Sequence, residues 1–457
     1  MNPPELWIEA LPKLGWLVLA IAALSLTLAL GRRIGSALQL RLWGIPEALV
    51  AGLLGLLLAP GGPLPLLPLP VLELWADLPL VLLTLVFGSL MLSKPLPQLG
   101  SLWRPVSGQV SLALVLAFGQ YVVGGLAVLL VLQPLLGVSP VMACLIEVAY
   151  EGGHGSAAAM GPSYAALGFP GGQDLGLAMA TVGLLSSTLV GGLVVVLARR
   201  QGWLLATGPG AEPAKGNGTA AAASPAGPAA WAVNLALVGV AVLVGELLLL
   251  ALRAVTVPLG GGVAAVTEAL PVFPLAILGS LFVRWVLERS GRSQWASAPI
   301  QSELSTLAAD LLITAATAGL NLKLLQADWL PLTVLALGGL AWNLAVVLLL
   351  APRVLPADWF ERAVIEFGQA TGVAASGLLL LRMADPEDQS DALSAFSIKQ
   401  LLLQPFLAGG VITVVAPLAV VGWGLPVWTG FCFGLVLLAG GAGLWLARSQ
   451  PAAAPAP

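Results

Sequence analysis

Long apolar stretches recur along the whole chain, and they restrict the fold more than any other feature of the sequence. Only 9% of the 457 residues are charged, whereas a soluble domain carries about a quarter. A surface that faces water cannot be built from so few charges at this length. A helix needs about 20 mostly apolar residues to cross the hydrocarbon core of a bilayer. The sequence therefore predicts an all-α polytopic membrane protein embedded in a lipid bilayer.

Eleven apolar segments are candidate spans. They are residues 14–31, 44–59, 78–93, 107–132, 174–198, 231–252, 270–287, 304–323, 329–351, 393–421 and 424–447. The second and third are short, so we expect tilted or frayed helices there. Arg32 and Arg33 follow the first segment, whereas a secretory signal carries its charges before the apolar run. We therefore interpret the first segment as a retained helix.

Two further stretches, 139–167 and 360–382, are rich in Gly and Ala and are interrupted by polar residues. They are too broken to be simple spans, and we predict that each is a re-entrant hairpin. Non-helical backbone at membrane depth is tolerated only where protein or a wet cavity surrounds it. Each hairpin is therefore expected to be surrounded by protein or by a wet cavity.

The distribution of Lys and Arg tests this topology, because cytoplasmic loops carry an excess of positive charge. With the N-terminus outside and each hairpin returning to its own side, 15 of the 19 basic residues lie inside, all except Lys13, Arg253, Lys323 and Lys399. Counting either hairpin as a single crossing would reverse the loops beyond it. The charge bias therefore favours hairpins and predicts a cytoplasmic linker and C-terminus.

This topology divides the chain into two repeats. Residues 1–198 contain five spans and a hairpin entered from outside, and residues 231–421 have the same order with a hairpin entered from inside. The odd number of spans inverts the second repeat. Residues 199–230, rich in Gly, Ala and Pro, are predicted to be a flexible linker. Residues 422–457 add one span and a disordered tail.

The first hairpin is the richest in groups that could bind a solute. Glycines allow sharp turns, the N-termini of half-helices suit anions, and unwound carbonyls suit sodium ions. The predicted substrate-binding residues here are Gly152, Gly153, His154, Gly155 and Ser156. His154, the only histidine, could instead cap or pack a helix. A transition-metal site is not expected, since neither Cys nor a second His accompanies it.

The second hairpin has a matching Gly-rich turn followed by Ala and Ser. Interrupted segments at corresponding positions of two halves indicate a transporter's binding site. The predicted substrate-binding residues of this half are Gly368, Gln369, Thr371, Gly372, Ser376 and, in a neighbouring span, Asn321. For Asn321, hydrogen bonding between helices is the alternative interpretation.

Carboxylates inside a membrane are costly and tend to be functional. Glu147 and Glu151 are four residues apart and share a helix face, and Glu366 is their counterpart in the second hairpin. Together with Asp310, they are the candidates for sodium or proton coupling. The alternatives are a hydrated or paired Glu147, a solvated Glu366 and an Asp310 that bonds between helices.

Several other functions are not favoured. The net charge of −3 gives no reason to expect a nucleic-acid partner. Cys144 and Cys432 lie in apolar runs and are interpreted as buried hydrophobic residues. No nucleophile–base pair or metal cluster is recognisable, so an enzyme is not expected. A passive channel is the remaining alternative from another class.

The order of several short motifs resembles the glutamate:sodium symporter family from about residue 15 to residue 421. The motifs are Gly31-Arg32-Arg33, Ile45-Pro46-Glu47, Gly152-Gly153-His154-Gly155, Ala178-Met179-Ala180-Thr181-Val182-Gly183, Gly191-Gly192 and Gly319-Leu320-Asn321-Leu322-Lys323. This resemblance implies sodium-coupled uptake of glutamate, with sodium as the coupling ion and no organic cofactor. It also implies ten core spans, two oppositely entered hairpins, a homodimer with an elevator motion, and the bacterial inner membrane.

The chain departs from the family pattern at the hairpins. Glu147, Tyr150 and Glu151 precede the first Gly pair, where the family usually has small or hydroxylated residues. The second hairpin lacks the usual Gly-Ala-Thr-Pro turn, and a C-terminal span is added. Extra negative charge should disfavour an anionic substrate unless a cation compensates for it. The alternative function is therefore a cation-coupled carrier of another solute, or a cation/proton exchanger using Glu147 and Glu151.

Overall fold

The computed structural model describes residues 3–40, 46–93, 96, 99–204, 227–260, 264, 267–268, 270–356, 358–387 and 389–449, with only the backbone described for 3–14, 99–105 and 259. Every regular element in this part of the chain is helical. Eight of its helices are long and apolar enough to cross a membrane. The prediction of an all-α polytopic membrane protein is confirmed.

The helices follow the order of the predicted spans. In the first half they are α1 (Pro3–Ala37), α2 (Glu47–Leu58), α3 (Leu69–Leu90), α4 (Leu99–Ala127), α5 (Leu145–Tyr150), α6 (Gly153–Ala159), α7 (Gly161–Ala166) and α8 (Gly172–Gln201). In the second half they are α9 (Pro228–Thr256), α10 (Phe273–Arg289), α11 (Ala298–Ala318), α12 (Leu322–Ala327), α13 (Trp329–Ala345), α14 (Trp359–Ala384), α15 (Ala392–Leu403) and α16 (Val411–Trp423). The last helix is α17 (Leu425–Ser449).

Several helices begin before the predicted spans, such as α1 at Pro3 instead of residue 14 and α4 at Leu99 instead of residue 107. Helix α3 begins at Leu69, nine residues before the predicted start at residue 78. The segment 393–421 is not one span, which corrects the prediction, because residues 404–410 separate α15 from α16. Pro405 cannot donate a backbone hydrogen bond, and Ala408 and Gly409 have φ angles of 53° and 93°.

Most of the predicted linker and tail, residues 205–226 and 450–457, lies outside the described residues.

Helices α4 and α13 have the same irregular ending. A π-helical turn, Val128–Leu132, continues α4, and the turn Val346–Leu350 continues α13. In each case, Pro is the second residue after the turn, Pro134 in the first half and Pro352 in the second. Because Pro has no N–H group, it removes one α-helical hydrogen bond and leaves the carbonyl four residues earlier free. The two halves thus share a local distortion at matching positions.

The first predicted hairpin folds back on itself. It begins with a 3-10 turn, Pro140–Cys144, and continues through α5, α6 and α7. A Cβ built on Gly176 of helix α8 would lie 3.8 Å from Leu145 Cδ2 and 3.1 Å from Ala157 Cβ. A straight helix would separate residues 145 and 157 by about 18 Å. The chain therefore reverses between them, at residues 151–153.

The second predicted hairpin reverses more sharply. Within α14, Gly372 (φ −158°, ψ 41°) and Val373 (φ 66°, ψ 168°) are not helical. A Cβ built on Gly368 would lie only 2.4 Å from Cα of Gly377, and one on Gly377 would lie 2.3 Å from the carbonyl oxygen of Ile365. The two arms of α14 are therefore antiparallel and in backbone contact, which the absence of side chains at Gly368 and Gly377 permits.

The helices form two packed groups. Helices α1, α2, α3, α9, α10 and α11 pack against one another, whereas α4, α8, α13, α15 and α17 form a second group with the two hairpins, the second of which is α14. The largest apolar core includes Tyr121, Tyr150 and Phe367 of the second group and extends into the first group, for example at Phe87 and Phe273. The groups meet where α6 contacts α3 and α11, with Gly155 facing Leu83 and Leu312.

We predict that Gly368→Val destabilises the protein by about 1–3 kcal/mol or more, because the new side chain overlaps the second arm of α14. The measurement is thermal unfolding of the purified protein in detergent. Gly430→Val on α17 is the matched control, since a Cβ there meets nothing within 4 Å. Equal unfolding temperatures for the two variants would contradict the close packing of the arms.

Candidate functional site

Three interruptions of helical backbone meet inside the second helix group. They are residues 151–153 of the first hairpin, 372–373 of the second, and 404–410 between α15 and α16, and we call their meeting point the junction. A Cβ built on Gly153, whose φ is +69°, would lie 2.3 Å from Val373 Cγ1. A Cβ built on Gly409 would lie 2.3 Å from the Ser156 hydroxyl oxygen. The junction therefore joins the two hairpins through unwound backbone.

The break at Gly372–Val373 frees carbonyl oxygens at the end of the first arm of α14, and side chains satisfy several of them. Gln120 Nε2 and Asn343 Nδ2 donate to the carbonyl oxygen of Ala370 at 2.6 and 2.8 Å. Ser187 Oγ donates to the carbonyl oxygen of Gly368 at 3.2 Å. An unpaired carbonyl buried away from water is costly. These hydrogen bonds therefore stabilise the turn, because the backbone itself offers no partner for these carbonyl groups.

The predicted polar residues of the second hairpin are also bonded within the protein. Thr371 Oγ1 accepts a hydrogen bond from Asn343 Nδ2 at 3.0 Å. Gln369 Nε2 donates to Gln400 Oε1 at 3.0 Å, and Ser376 Oγ donates to the carbonyl oxygen of Gly372. These side chains stabilise the hairpin by hydrogen bonds within the protein. The groups of the turn that could contact a solute are therefore those of its backbone.

Glu147 is completely buried and has three hydrogen-bond donors. Tyr121 Oη donates to Oε2 at 2.5 Å, and Thr413 Oγ1 and the Ala408 backbone N–H donate to Oε1 at 2.9 and 3.2 Å. The carboxyl group thus connects the first hairpin to α4 and to the break before α16. Glu147 is therefore buried and hydrogen-bonded within the protein, and it is not hydrated.

Glu151 has no such partners. Its side chain is 5% exposed, and Oε2 is buried without a hydrogen-bond partner. The Ser156 hydroxyl oxygen, at the junction, is likewise buried and unpartnered. Buried polar atoms are normally hydrogen-bonded, so an exception requires an explanation. A carboxylate oxygen and a hydroxyl oxygen beside unwound backbone are suitable ligands for a small hard cation.

His154 is held against helix α8. Its Nε2 lies 2.9 Å from Thr181 Oγ1, and the Thr181 hydroxyl donates to the carbonyl oxygen of Leu177 at 3.0 Å. Because that hydroxyl has one hydrogen, Nε2 is assigned as the donor to Thr181. His154 therefore packs against a neighbouring helix, which was one of the alternative roles considered from the sequence. Gly152 approaches Ser156 and the Val148 carbonyl oxygen closely.

Glu366 is buried and forms an ion pair that the sequence-based site did not include. Lys399 Nζ lies 2.8 Å from Glu366 Oε2, and Gln109 Nε2 donates to Oε1 at 2.8 Å. The solvated Glu366 that was the alternative does not occur. A sequence signal for Lys399 existed, because it was one of four basic residues outside the predicted inner loops and it lay within an apolar segment.

Two predicted residues are not brought to the junction. Asp310 forms a salt bridge with Arg32 of α1 at 2.7 Å, and its side chain is 23% exposed. Asn321 is exposed and caps α12, where its side chain accepts a hydrogen bond from the Leu324 N–H at 3.2 Å. Conversely, Tyr121 and Thr413 contact site residues but carried no distinguishing sequence pattern, and Thr181 lay in the motif Ala178–Gly183 without any sign that it contacts His154. Only the packing of distant helices brings these three residues to the site.

The family model described as sodium/glutamate symporter matches residues 15–370. No curated protein matches the chain, and neither does any solved structure. The family match covers well over half of the chain and includes the first hairpin. It ends two residues before the turn of the second hairpin, whereas the resemblance was expected to reach residue 421. The chain belongs to the sodium/glutamate symporter family.

Proposed function

We propose that this protein is a sodium-coupled symporter for glutamate or a related carboxylate, with alternating access of the elevator type. Family membership supports the coupling ion and the class of solute. The junction carries the proposal, because it combines unwound backbone with the unpartnered oxygens of Glu151 and Ser156. In this proposal, Glu151 holds the sodium ion. The substrate contacts the turns at Gly152–Gly153 and Gly372–Val373 and the Ser156 hydroxyl.

We further propose that the chain consists of two inverted repeats with re-entrant hairpins. The matched π-helical turns and the chain reversal within each hairpin support this arrangement. The N-terminus would lie outside, and the linker and C-terminus in the cytoplasm, as the distribution of basic residues favours. The proposed location is the bacterial inner membrane.

The division into two helix groups supports an elevator motion. Helices α1, α2, α3, α9, α10 and α11 would form the scaffold, which dimerises, and the group around the hairpins would move. The contact between the groups at Gly155, Leu83 and Leu312 is apolar. Apolar contacts are non-directional, so this surface can slide without breaking hydrogen bonds at those residues.

A cation/proton exchanger is the second candidate, and the bare carboxylate of Glu151 is the observation that favours it. Glu147 is less suited to carry a cation, because three donors already occupy its oxygens. A pH-sensitive dye inside proteoliposomes separates the two functions. The symporter is expected to show glutamate counterflow without sodium-driven proton movement. Proton movement driven by a sodium gradient without any solute would favour the exchanger.

We predict that Gly153→Ala abolishes sodium-driven glutamate uptake in proteoliposomes, because the added Cβ overlaps Val373 at the junction. Gly137→Ala is the matched control, since Gly137 has a φ of +67° but nothing within 4 Å. Both variants carry the left-handed backbone strain of about 1–2 kcal/mol. Only Gly153→Ala separates the hairpins. Equal uptake by the two variants would show that the contact between the hairpins is not required for transport.

We predict that Glu151→Gln raises the sodium concentration needed for half-maximal uptake by about tenfold or more, equivalent to at least ~1.4 kcal/mol of lost sodium affinity. The amide keeps the size of the side chain and removes the charge that attracts the cation. Uptake is measured at several sodium concentrations, with Glu303→Gln on the exposed face of α11 as the control. Sodium-independent uptake by the unmodified protein would contradict the coupling.

A further inference from the structure

The second hairpin and α15 enclose a lysine ammonium group. Lys399 is 1% exposed, and its Nζ lies 2.8 Å from Glu366 Oε2, 2.9 Å from Gln369 Oε1 and 3.1 Å from Gln400 Oε1. Its Nζ also lies 4.5 Å from the centroid of the Phe396 ring. Three oxygens and an aromatic face thus surround one positive charge.

This set of ligands is what a small monovalent cation would meet if the lysine were absent. One carboxylate and two amide oxygens converge on one point, and the other Glu366 oxygen is occupied by Gln109. The ammonium therefore acts as a covalently attached cation. It neutralises Glu366 and connects the first arm of α14 to α15.

The three acidic residues of the hairpins differ in the groups that stabilise their carboxylates. Three hydrogen-bond donors satisfy Glu147, and Lys399 neutralises Glu366. Glu151 has no hydrogen-bond partner for its buried oxygen. A buried carboxylate oxygen with neither a donor nor a directly paired cation is strongly unfavourable. Among these three acids, only Glu151 has a buried oxygen with neither a hydrogen-bond donor nor a paired ammonium group.

We infer that Lys399 replaces a coupling cation at the second hairpin, so that one sodium ion, bound at Glu151, accompanies each substrate molecule. This inference rests on the proposed sodium symport and adds the number of ions. The two halves would then differ in the cation that neutralises their acidic residue. The first hairpin binds an exchangeable cation, and the second carries a permanent one.

The test is equilibrium binding of radioactive sodium to the purified full-length protein, counted per chain. We expect one ion for the unmodified protein and none for Glu151→Gln. Lys399→Met exposes the ligands around Glu366 to sodium and is expected to bind two. The double variant Glu366→Gln, Lys399→Met removes both charges of the pair and is expected to bind one. Lys323→Met, at an exposed lysine of α12, is the control and is expected to bind one.

Two ions on the unmodified protein would overturn the inference and leave sodium symport intact. One ion on folded Lys399→Met, or one remaining on Glu151→Gln, would also overturn it. No sodium on the unmodified protein would instead overturn the proposed function. If Lys399→Met does not fold, the unmodified protein, Glu151→Gln and the double variant decide the question, because the double variant leaves no charge of the pair unpaired.

Discussion

The close approach of Gly153 and Val373 is the contact on which the rest of the structure depends. It brings two interrupted helices together inside the protein, and interrupted backbone has unpaired carbonyl and N–H groups. Without water, these groups need partners from the protein. The side-chain amides of Gln120 and Asn343 donate hydrogen bonds to the Ala370 carbonyl oxygen. Small residues nearby let the helices approach closely enough to form these bonds. Gln120 of α4, Ser187 of α8 and Asn343 of α13 thus all donate to carbonyl oxygens just before the turn of the second hairpin.

The same low-polarity surroundings determine how the acidic residues behave. A carboxylate in the interior is stable only with donors, with a cation or in its protonated form. Glu147 has donors, Glu366 has the ammonium of Lys399, and Glu151 has a buried oxygen without either. In the proposed function, this unpartnered oxygen of Glu151 is where the coupling cation binds and leaves. This asymmetry connects the local chemistry of the junction to the proposed coupling.

The packing of the helices is consistent with that chemistry. The junction lies in the helix group around the hairpins, and the contact with the other group at Gly155 is apolar. The hydrogen bonds of Glu147 to α4 and to the break before α16 stay within the same group. A movement between the groups would therefore leave the coupling site assembled, as an elevator motion requires.

The sequence alone determined that the chain is a helical membrane protein, where most helices lie, and which segments are interrupted. Hydrophobicity along one chain carries this information, because each span must match the bilayer by itself and glycine and proline act locally. It also indicated the acids and glycines of the two hairpins, and the family. Only the tertiary structure decided the break at 404–410 within a predicted span, the pairing of Lys399 with Glu366, and the position of Asp310 beside Arg32. These depend on which helices become neighbours, and the partners are separated by tens to hundreds of residues in a chain where many polar side chains could have met.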